Sequence, residues 1–229
     1  AGALALVVMR NIRLEFTQGD ERSTAHMALA LGAFAEVFGD PPEGRKQRRP
    51  KAAAQAEDDP PLDPFWAAAE SLNVPLLLHP VQPSPIPRTG RYYLNATTHY
   101  IYDTTVTIGC LVFSGVLDRF PHLRIVLAHG GGFFPYQVGR FDQAYRNLPE
   151  TRAMASQEPS AYLKRFFYDS LVHHPVALRF LADLVGAERI LLGTDYPFPV
   201  GDPAPMRVLE DTALSADDKA KVAGGNAQQ

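Results

Sequence analysis

Short apolar runs alternate with longer amphipathic segments over most of the chain. Four of the runs predict buried strands, because each is short, almost wholly apolar and followed by turn-forming or polar residues. They are Val74 to Leu78, Leu123 to Ala128, Phe166 to Leu171 and Ile190 to Gly193. The strands are separated by helical patterns, and parallel pairing requires such crossovers. The order therefore predicts an α/β fold with a parallel sheet.

The helices are predicted from apolar periodicity and from their terminal residues. Asp63 is the expected N-cap of the first helix, with Pro64 in its first turn. Ser215 is the expected start of the last one, with Asp218 completing a capping pair. The helices between them are Asp103 to Phe120, Phe133 to Asn147 and Pro175 to Val185.

Residues 1–57 have a different pattern. Ala3 to Met9 is a candidate strand and Ala25 to Phe38 a candidate helix, whereas residues 41–57 are polar, rich in Pro, Lys and Arg, and without periodicity. We interpret residues 41–57 as an exposed linker; the alternative is a basic nucleic-acid or targeting patch at residues 45–51. The pattern divides the chain into an atypical segment, 1–57, and one domain, 58–229.

Composition excludes several classes of function. The net charge of −3 over 229 residues gives no basic field for nucleic acid. No apolar run approaches the roughly 20 residues that span a bilayer, so we expect no membrane segment. The single cysteine, Cys110, excludes an internal disulfide and favours a reducing, cytoplasmic location.

Ionisable residues directly follow three of the four predicted strands. His79, His129 and Asp195 occupy these positions. The carboxyl ends of the strands in a parallel barrel meet on one face, where active sites lie. Imidazole and carboxylate groups suit Zn²⁺ or a similar divalent ion. The spacing therefore predicts one shared site, although a histidine at a strand end can also be purely structural.

A resemblance to a known family rests on several ordered stretches between Asp58 and Asn226. The stretches are Asp63 to Trp66, Leu76 to Pro80, Phe113 to Pro121, Ala128 to Gly132, Phe134 to Tyr136, Gly139-Arg140, Tyr168 to Ser170, Gly193 to Phe198 and Gly224 to Ala227. They resemble the amidohydrolase-related family of decarboxylases and hydrolases. The resemblance implies a (β/α)₈ barrel, of which strands five to eight are recognisable in this incomplete copy.

The resemblance also implies roles for individual residues. His79 and Asp195 correspond to metal ligands, with zinc the expected ion and manganese the alternative. His129 and Asp195 correspond to the catalytic acid/base groups, since imidazole is suited to proton transfer near neutral pH. Arg140 corresponds to a residue that binds a substrate carboxylate across a dimer interface, which implies a homodimer and a small carboxylate-bearing substrate.

One part of the family pattern is missing. The family's first strand ends in His-x-His, which supplies two further metal ligands, and this sequence contains no His-x-His. We therefore expect a truncated or divergent front and weakened zinc binding. Three functions remain open: non-oxidative decarboxylation of an aromatic or muconate-type acid, hydrolysis of a lactone or amide, and a catalytically impaired barrel fragment.

Three further residues are weaker candidates. His173 follows the third predicted strand and could face the site, although a place at the start of a helix explains it equally. His99 lies in a segment interpreted as a loop that could face substrate or simply be surface. Asp169, within the third strand, could steady a neighbouring histidine or cap a loop.

Overall fold

The structure, a computed structural model, describes residues 62–80 and 89–228 in full and the backbone of residues 5–9 and 13–16. The helix predicted at 25–38 and the linker predicted at 41–57 lie outside the described residues.

A six-stranded sheet forms the centre of the described part, in the order β2-β1-β3-β4-β5-β6. Its strands are β1 (Ala5–Met9), β2 (Arg13–Phe16), β3 (Leu76–Pro80), β4 (Ile125–Leu127), β5 (Phe166–Asp169) and β6 (Ile190–Leu191). Only β2 runs antiparallel to its neighbour, β1; the other pairs are parallel. The predicted α/β class is therefore correct, and within these residues β2 and β6 are sheet edges.

Helices separate the successive parallel strands from β3 to β6, as crossover connections require. The α-helices are α1 (Asp63–Ser71), α2 (Tyr100–Phe113), α3 (Val116–Arg119), α4 (Phe134–Asn147), α5 (Pro175–Val185), α6 (Pro205–Asp211) and α7 (Ala216–Ala220). Shorter helical turns are Asn95–His99, His129–Gly131, Pro149–Arg152, Pro159–Arg165, Ala187–Arg189, Lys221–Gly225 and Asn226–Gln228. None of the helices in the described part combines the length and apolar character that a membrane crossing requires.

The core lies between the sheet and the helices that cover it. Ile125 and Leu127 on β4, Phe166 and Tyr168 on β5, and Ile190 on β6 are fully buried. Burying a large apolar side chain contributes roughly 1.5–3 kcal/mol, so these short strands are stabilised mainly by packing. This core fixes the strands in parallel and brings their carboxyl ends to one edge of the sheet.

Two details of the predicted helices are wrong. Asp63 is not an N-cap: the cap position is Leu62, and the Asp63 carboxylate instead accepts a hydrogen bond from Arg119 Nη2 at 2.9 Å. The helix predicted over residues 103–120 begins earlier and is interrupted after α2, because Gly115 adopts φ 72°. A Cβ at residue 115 would lie 2.6 Å from the Met154 carbonyl oxygen, so the close approach requires glycine.

Candidate metal centre

Three parallel strands carry the candidate ligands to the same edge of the sheet. His79 lies in β3, His129 directly follows β4, and Asp195 follows β6. His79 Nε2 is 3.1 Å from Asp195 Oδ1, and His129 Nε2 is 3.8 Å from Asp195 Oδ2. The donor atoms of all three side chains lie within 4.8 Å of one another. Residues 116 positions apart in sequence, His79 and Asp195, are thus in direct contact.

The backbone at these strand ends is unusual. His129, His173 and Asp195 adopt φ values of 56°, 55° and 52°, in the left-handed region that non-glycine residues rarely occupy. Such conformations cost of order 1–3 kcal/mol each and concentrate at functional sites. The left-handed turn continues from His129 through Gly130 to Gly132. A Cβ at residue 131 would lie 2.7 Å from the Tyr168 ring. Only glycine therefore fits where the turn packs against the core.

Electrostatics favour an ionised Asp195. Burial raises its pKa, but hydrogen bonding and charge interactions with His129 and His79 outweigh that effect and hold the pKa of the carboxyl far below its usual range. Only 7% of the Asp195 side chain is exposed, against 12% for His129 and 21% for His79. The site is therefore a partly enclosed anionic carboxylate with two imidazoles beside it.

The chemistry and spacing of these donors fit a divalent cation. Ligand atoms placed about 2.1 Å from a tetrahedral ion lie about 3.4 Å from one another. The distances from Asp195 to His79 and His129, 3.1 and 3.8 Å, bracket that value. Two nitrogens and one carboxylate oxygen are a donor set that zinc and manganese accept. His79, His129 and Asp195 could thus hold one ion together.

A mixed apolar and polar cavity of about 1270 Å³ opens over the three residues within the described part of the chain. Its floor includes Leu77, Val126 and Leu191, and one wall includes Tyr93 and Tyr100. The Phe198 ring stacks on His79, with ring centroids 5.8 Å apart and planes inclined by 12°. The aromatic ring of Phe198 therefore lies against the His79 imidazole at the cavity.

The weaker sequence candidates occupy different places. His173 lines the cavity, and its side chain is exposed there. Arg140 is exposed on α4 and is not among the residues that line the cavity. Its predicted role across a dimer interface does not require such a place within one chain.

The loop interpretation of the segment around His99 is wrong. Residues 95–99 form a helical turn that leads directly into α2. Tyr93, Ala96, Thr97 and Tyr100 line the cavity, following the spacing of one helical face, and His99 points away and is only 5% exposed. The segment, and not the histidine, therefore faces the cavity.

Sequence reasoning gave no role to Phe198 or Tyr100, although it allowed that the segment around Tyr93 and His99 could face substrate. Phe198 was part of a matched stretch, but its contact with His79 spans 119 positions and has no local sequence signal. The helical spacing of residues 93, 96, 97 and 100 was the available signal for the wall. The surrounding prolines and polar residues concealed it.

Comparison with known proteins agrees with this fold. The sequence model of the amidohydrolase family matches residues 30–229. The parallel sheet with ionisable residues at its carboxyl edge defines the class, and the chain belongs to the amidohydrolase family.

Several of its relatives are decarboxylases. The chain is 36% identical over 172 residues to the 2-amino-3-carboxymuconate-6-semialdehyde decarboxylase of Dictyostelium discoideum, covering 74% of this chain and 48% of that protein. It is 33% identical to the γ-resorcylate decarboxylase of a Polaromonas species, covering 72% and 52%. The chain thus spans about half the length of these curated relatives.

A solved structure extends the comparison to geometry. The dihydroxybenzoic acid decarboxylase of a Polaromonas species, bound to manganese and the inhibitor 2-nitroresorcinol, has a TM-score of 0.68 and 29% identity. The match covers 78% of this chain and 55% of that one. That protein therefore combines a fold similar to this one with a bound divalent metal.

Proposed function

We propose that this site belongs to a metal-dependent, non-oxidative decarboxylase acting on an aromatic or muconate-type carboxylic acid. The observation that carries the proposal is the convergence of His79, His129 and Asp195 within 4.8 Å at the carboxyl edge of the sheet. Its decarboxylase relatives, one of which binds manganese in its solved structure, support the choice of reaction. The whole protein is proposed to be an eight-stranded (β/α) barrel.

His79 and Asp195 are the proposed metal ligands, with zinc or manganese as the ion. When bound, a divalent cation would supply positive charge and Lewis acidity to a substrate oxygen. His79 is well placed for this task because its Nε2 already faces Asp195 at 3.1 Å, and the ring of Phe198 restricts its orientation from the other side.

His129 is the proposed proton donor to carbon. Its Nε2 faces the carboxylate of Asp195 across 3.8 Å, and imidazole is suited to proton transfer near neutral pH. The imidazolium delivers its proton to the substrate carbon that bears the carboxylate. The carbon–carbon bond then breaks, its electron pair stays with that carbon, and carbon dioxide leaves; solvent returns the proton to His129.

The cavity supports a flat, partly apolar substrate. Tyr93, Tyr100 and Phe198 provide aromatic surfaces, whereas the described lining includes no lysine or arginine. Arg140 of a second copy is the proposed partner of the substrate carboxylate, beside the proposed metal. The side chain is exposed on α4, as a role across a homodimer requires.

The test is a decarboxylation assay on manganese- or zinc-loaded protein with 2,6-dihydroxybenzoate and related aromatic hydroxy acids, measuring carbon dioxide release. Turnover that disappears in His129→Gln but survives in Asp142→Asn would support the proposal. Asp142 is a suitable control because it is buried on α4 and bonds only the backbone N–H of Ser160 in the described structure. Turnover equal in both variants would refute the assignment of His129.

A second candidate is a catalytically impaired copy of the same site. The sequence has no His-x-His, the motif that supplies two further metal ligands in the family. Metal would then bind weakly through the three described residues, with little turnover. Saturable metal binding without measurable carbon dioxide release would favour this candidate over the active decarboxylase.

A further inference from the structure

The left-handed turn that carries His129 is held by a carboxylate on the neighbouring strand. Asp169, the last residue of β5, accepts a hydrogen bond from the backbone N–H of His129 at 3.0 Å and from that of Gly130 at 2.8 Å. A third bond, from the N–H of Leu171 at 3.1 Å, fixes the carboxylate against its own strand end. Two successive backbone N–H groups of the turn thus converge on one side chain.

The imidazole of His129 depends on this turn for its position. Its Nδ1 atom is buried and has no hydrogen-bond partner among the described residues. Catalytic histidines are commonly oriented by a hydrogen bond to the second ring nitrogen, and none is seen here. The ring is therefore aimed at Asp195 by its backbone, which the Asp169 carboxylate holds in a left-handed conformation that histidine seldom adopts.

The next residue reaches the other side of the site. Ser170 is 5% exposed, and its Oγ accepts a hydrogen bond from the backbone N–H of Gly193 at 3.2 Å, two residues before Asp195. Gly193 also packs directly on Asp169: a Cβ there would lie 2.8 Å from the Asp169 Cβ. Asp169 and Ser170 therefore contact both segments, the one bearing His129 and the one bearing Asp195.

We propose that Asp169 and Ser170 are positioning residues that set the separation of His129 from Asp195. Neither acts on substrate in this account. Asp169 holds the backbone of the proton donor, and Ser170 holds the loop that carries its carboxylate partner. The consequence for turnover rests on the proposed function, whereas the consequence for the geometry of His129 does not.

Asp169→Asn is the first test, because it keeps the shape but turns one carboxylate oxygen into an N–H₂ group that faces a backbone N–H. The protein has seven histidines, so their ring signals can be resolved by ¹⁵N NMR and that of His129 assigned with His129→Gln. We expect Asp169→Asn to move the His129 ring signals and to lower kcat by about 10²-fold, the cost of misplacing a reacting group, with KM little changed. Asp142→Asn is the matched control and should change neither.

Two milder variants keep the test decisive if Asp169→Asn does not fold. Ser170→Ala removes the acceptor for Gly193, and Gly193→Ala pushes a methyl group against Asp169 without removing its carboxylate. Both should shift the His129 ring signals in metal-free protein, where no turnover is needed. Unmoved His129 signals in the folded variants, or equal movement in Asp142→Asn, would overturn the proposal. If the wild-type chain shows no decarboxylation but the ring signals move, the positioning role stands and the proposed function fails.

Discussion

The two ends of the same parallel strands are built differently. At the amino edge, before β4 and β5, Asp118 accepts hydrogen bonds from the Tyr162 hydroxyl at 2.7 Å, the Ser156 N–H at 2.9 Å and the Ser156 hydroxyl at 2.8 Å. The polar groups of Asp118, Ser156 and Tyr162 at this edge thus hydrogen-bond one another. At the carboxyl edge, His129 has a buried, unpartnered Nδ1, and residues there take left-handed conformations.

This difference between the two edges of the sheet indicates that one edge serves mainly stability and the other mainly function. The hydrogen-bonded network of Asp118, Ser156 and Tyr162 at the amino edge stabilises the fold. Open hydrogen-bonding capacity and backbone strain at the other edge cost stability and are retained where a ligand can use them. The comparison predicts that substitutions at the carboxyl edge change binding and chemistry, whereas those at the amino edge change stability.

The largest effect is expected from Asp195→Ala. Asp195 contacts both His79 and His129, so its removal takes away a metal ligand and the partner of the proton donor together. Activity should fall by more than the roughly 10²–10⁴-fold that loss of a single acid/base group costs. Calorimetric metal titration and a carbon dioxide assay measure the two losses. Undiminished metal binding in this variant would contradict the role assigned to Asp195.

His129→Gln should separate chemistry from metal binding. We expect turnover to fall by roughly 10²–10⁴-fold, because the proton donor is lost. Metal affinity should fall less than in Asp195→Ala, because His79 and Asp195 remain 3.1 Å apart. The comparison of kcat with the metal dissociation constant in the same preparations checks this. A larger loss of metal affinity than of turnover would show that His129 is mainly a ligand.

Asp118→Asn should produce the opposite pattern at the amino edge. The variant disrupts hydrogen bonds to Ser156 and Tyr162, and because Asp118 is only partly buried and Ser156 is exposed, we expect a loss of about 0.5–1.5 kcal/mol of unfolding free energy. Metal binding and kcat should be unchanged. Urea unfolding followed by circular dichroism gives the free energy. A stable Asp118→Asn protein with altered metal binding would break the division between the two edges.

The smallest effect concerns acid pH. Burial raises the pKa of Asp118, but hydrogen bonds from Ser156 and Tyr162 and the charge of Arg165 outweigh it and leave the pKa below its usual range. A group with a lowered pKa in the folded state stabilises the protein above its unfolded pKa, about 3.9, and loses that contribution as pH falls through the folded value. The stability difference between wild type and Asp118→Asn should therefore shrink below about pH 4. A difference that grows on acidification would contradict the assigned direction.

Local sequence pattern was sufficient for the elements that create the site. The helix at Pro175–Val185 has the predicted bounds, and Ser215 caps the last α-helix through the N–H of Asp218. The strands β4, β5 and β6 are shorter than predicted, and β3 lies two residues later than predicted. The hydrogen bonds between β5 and β6 end where the chain turns away. The last of these backbone bonds runs from the Ser170 N–H to the Leu191 carbonyl. Apolar residues beyond that point continue the pattern but not the strand.

Contacts between distant residues were beyond the sequence pattern. The strand-end positions and the resemblance to the family both indicated that His79, His129 and Asp195 share a site, but neither indicated which groups hold them in place. The hydrogen bonds from the His129 N–H to Asp169 and from the Gly193 N–H to Ser170 span 40 and 23 positions and leave no periodic signal. The helical turn at Asn95–His99 was missed for a related reason, since its residues are polar and follow a proline-rich stretch.

Equilibrium binding of Mn²⁺ and Zn²⁺ to the metal-free chain tests the central claim most directly. Calorimetric titration of the wild type should show one saturable site per chain, weaker than a site completed by His-x-His. The site should be lost in His79→Ala and Asp195→Ala and retained in Asp142→Asn. Absence of saturable binding in the wild type, or unchanged binding in both His79→Ala and Asp195→Ala, would contradict the existence of a metal centre at this edge of the sheet.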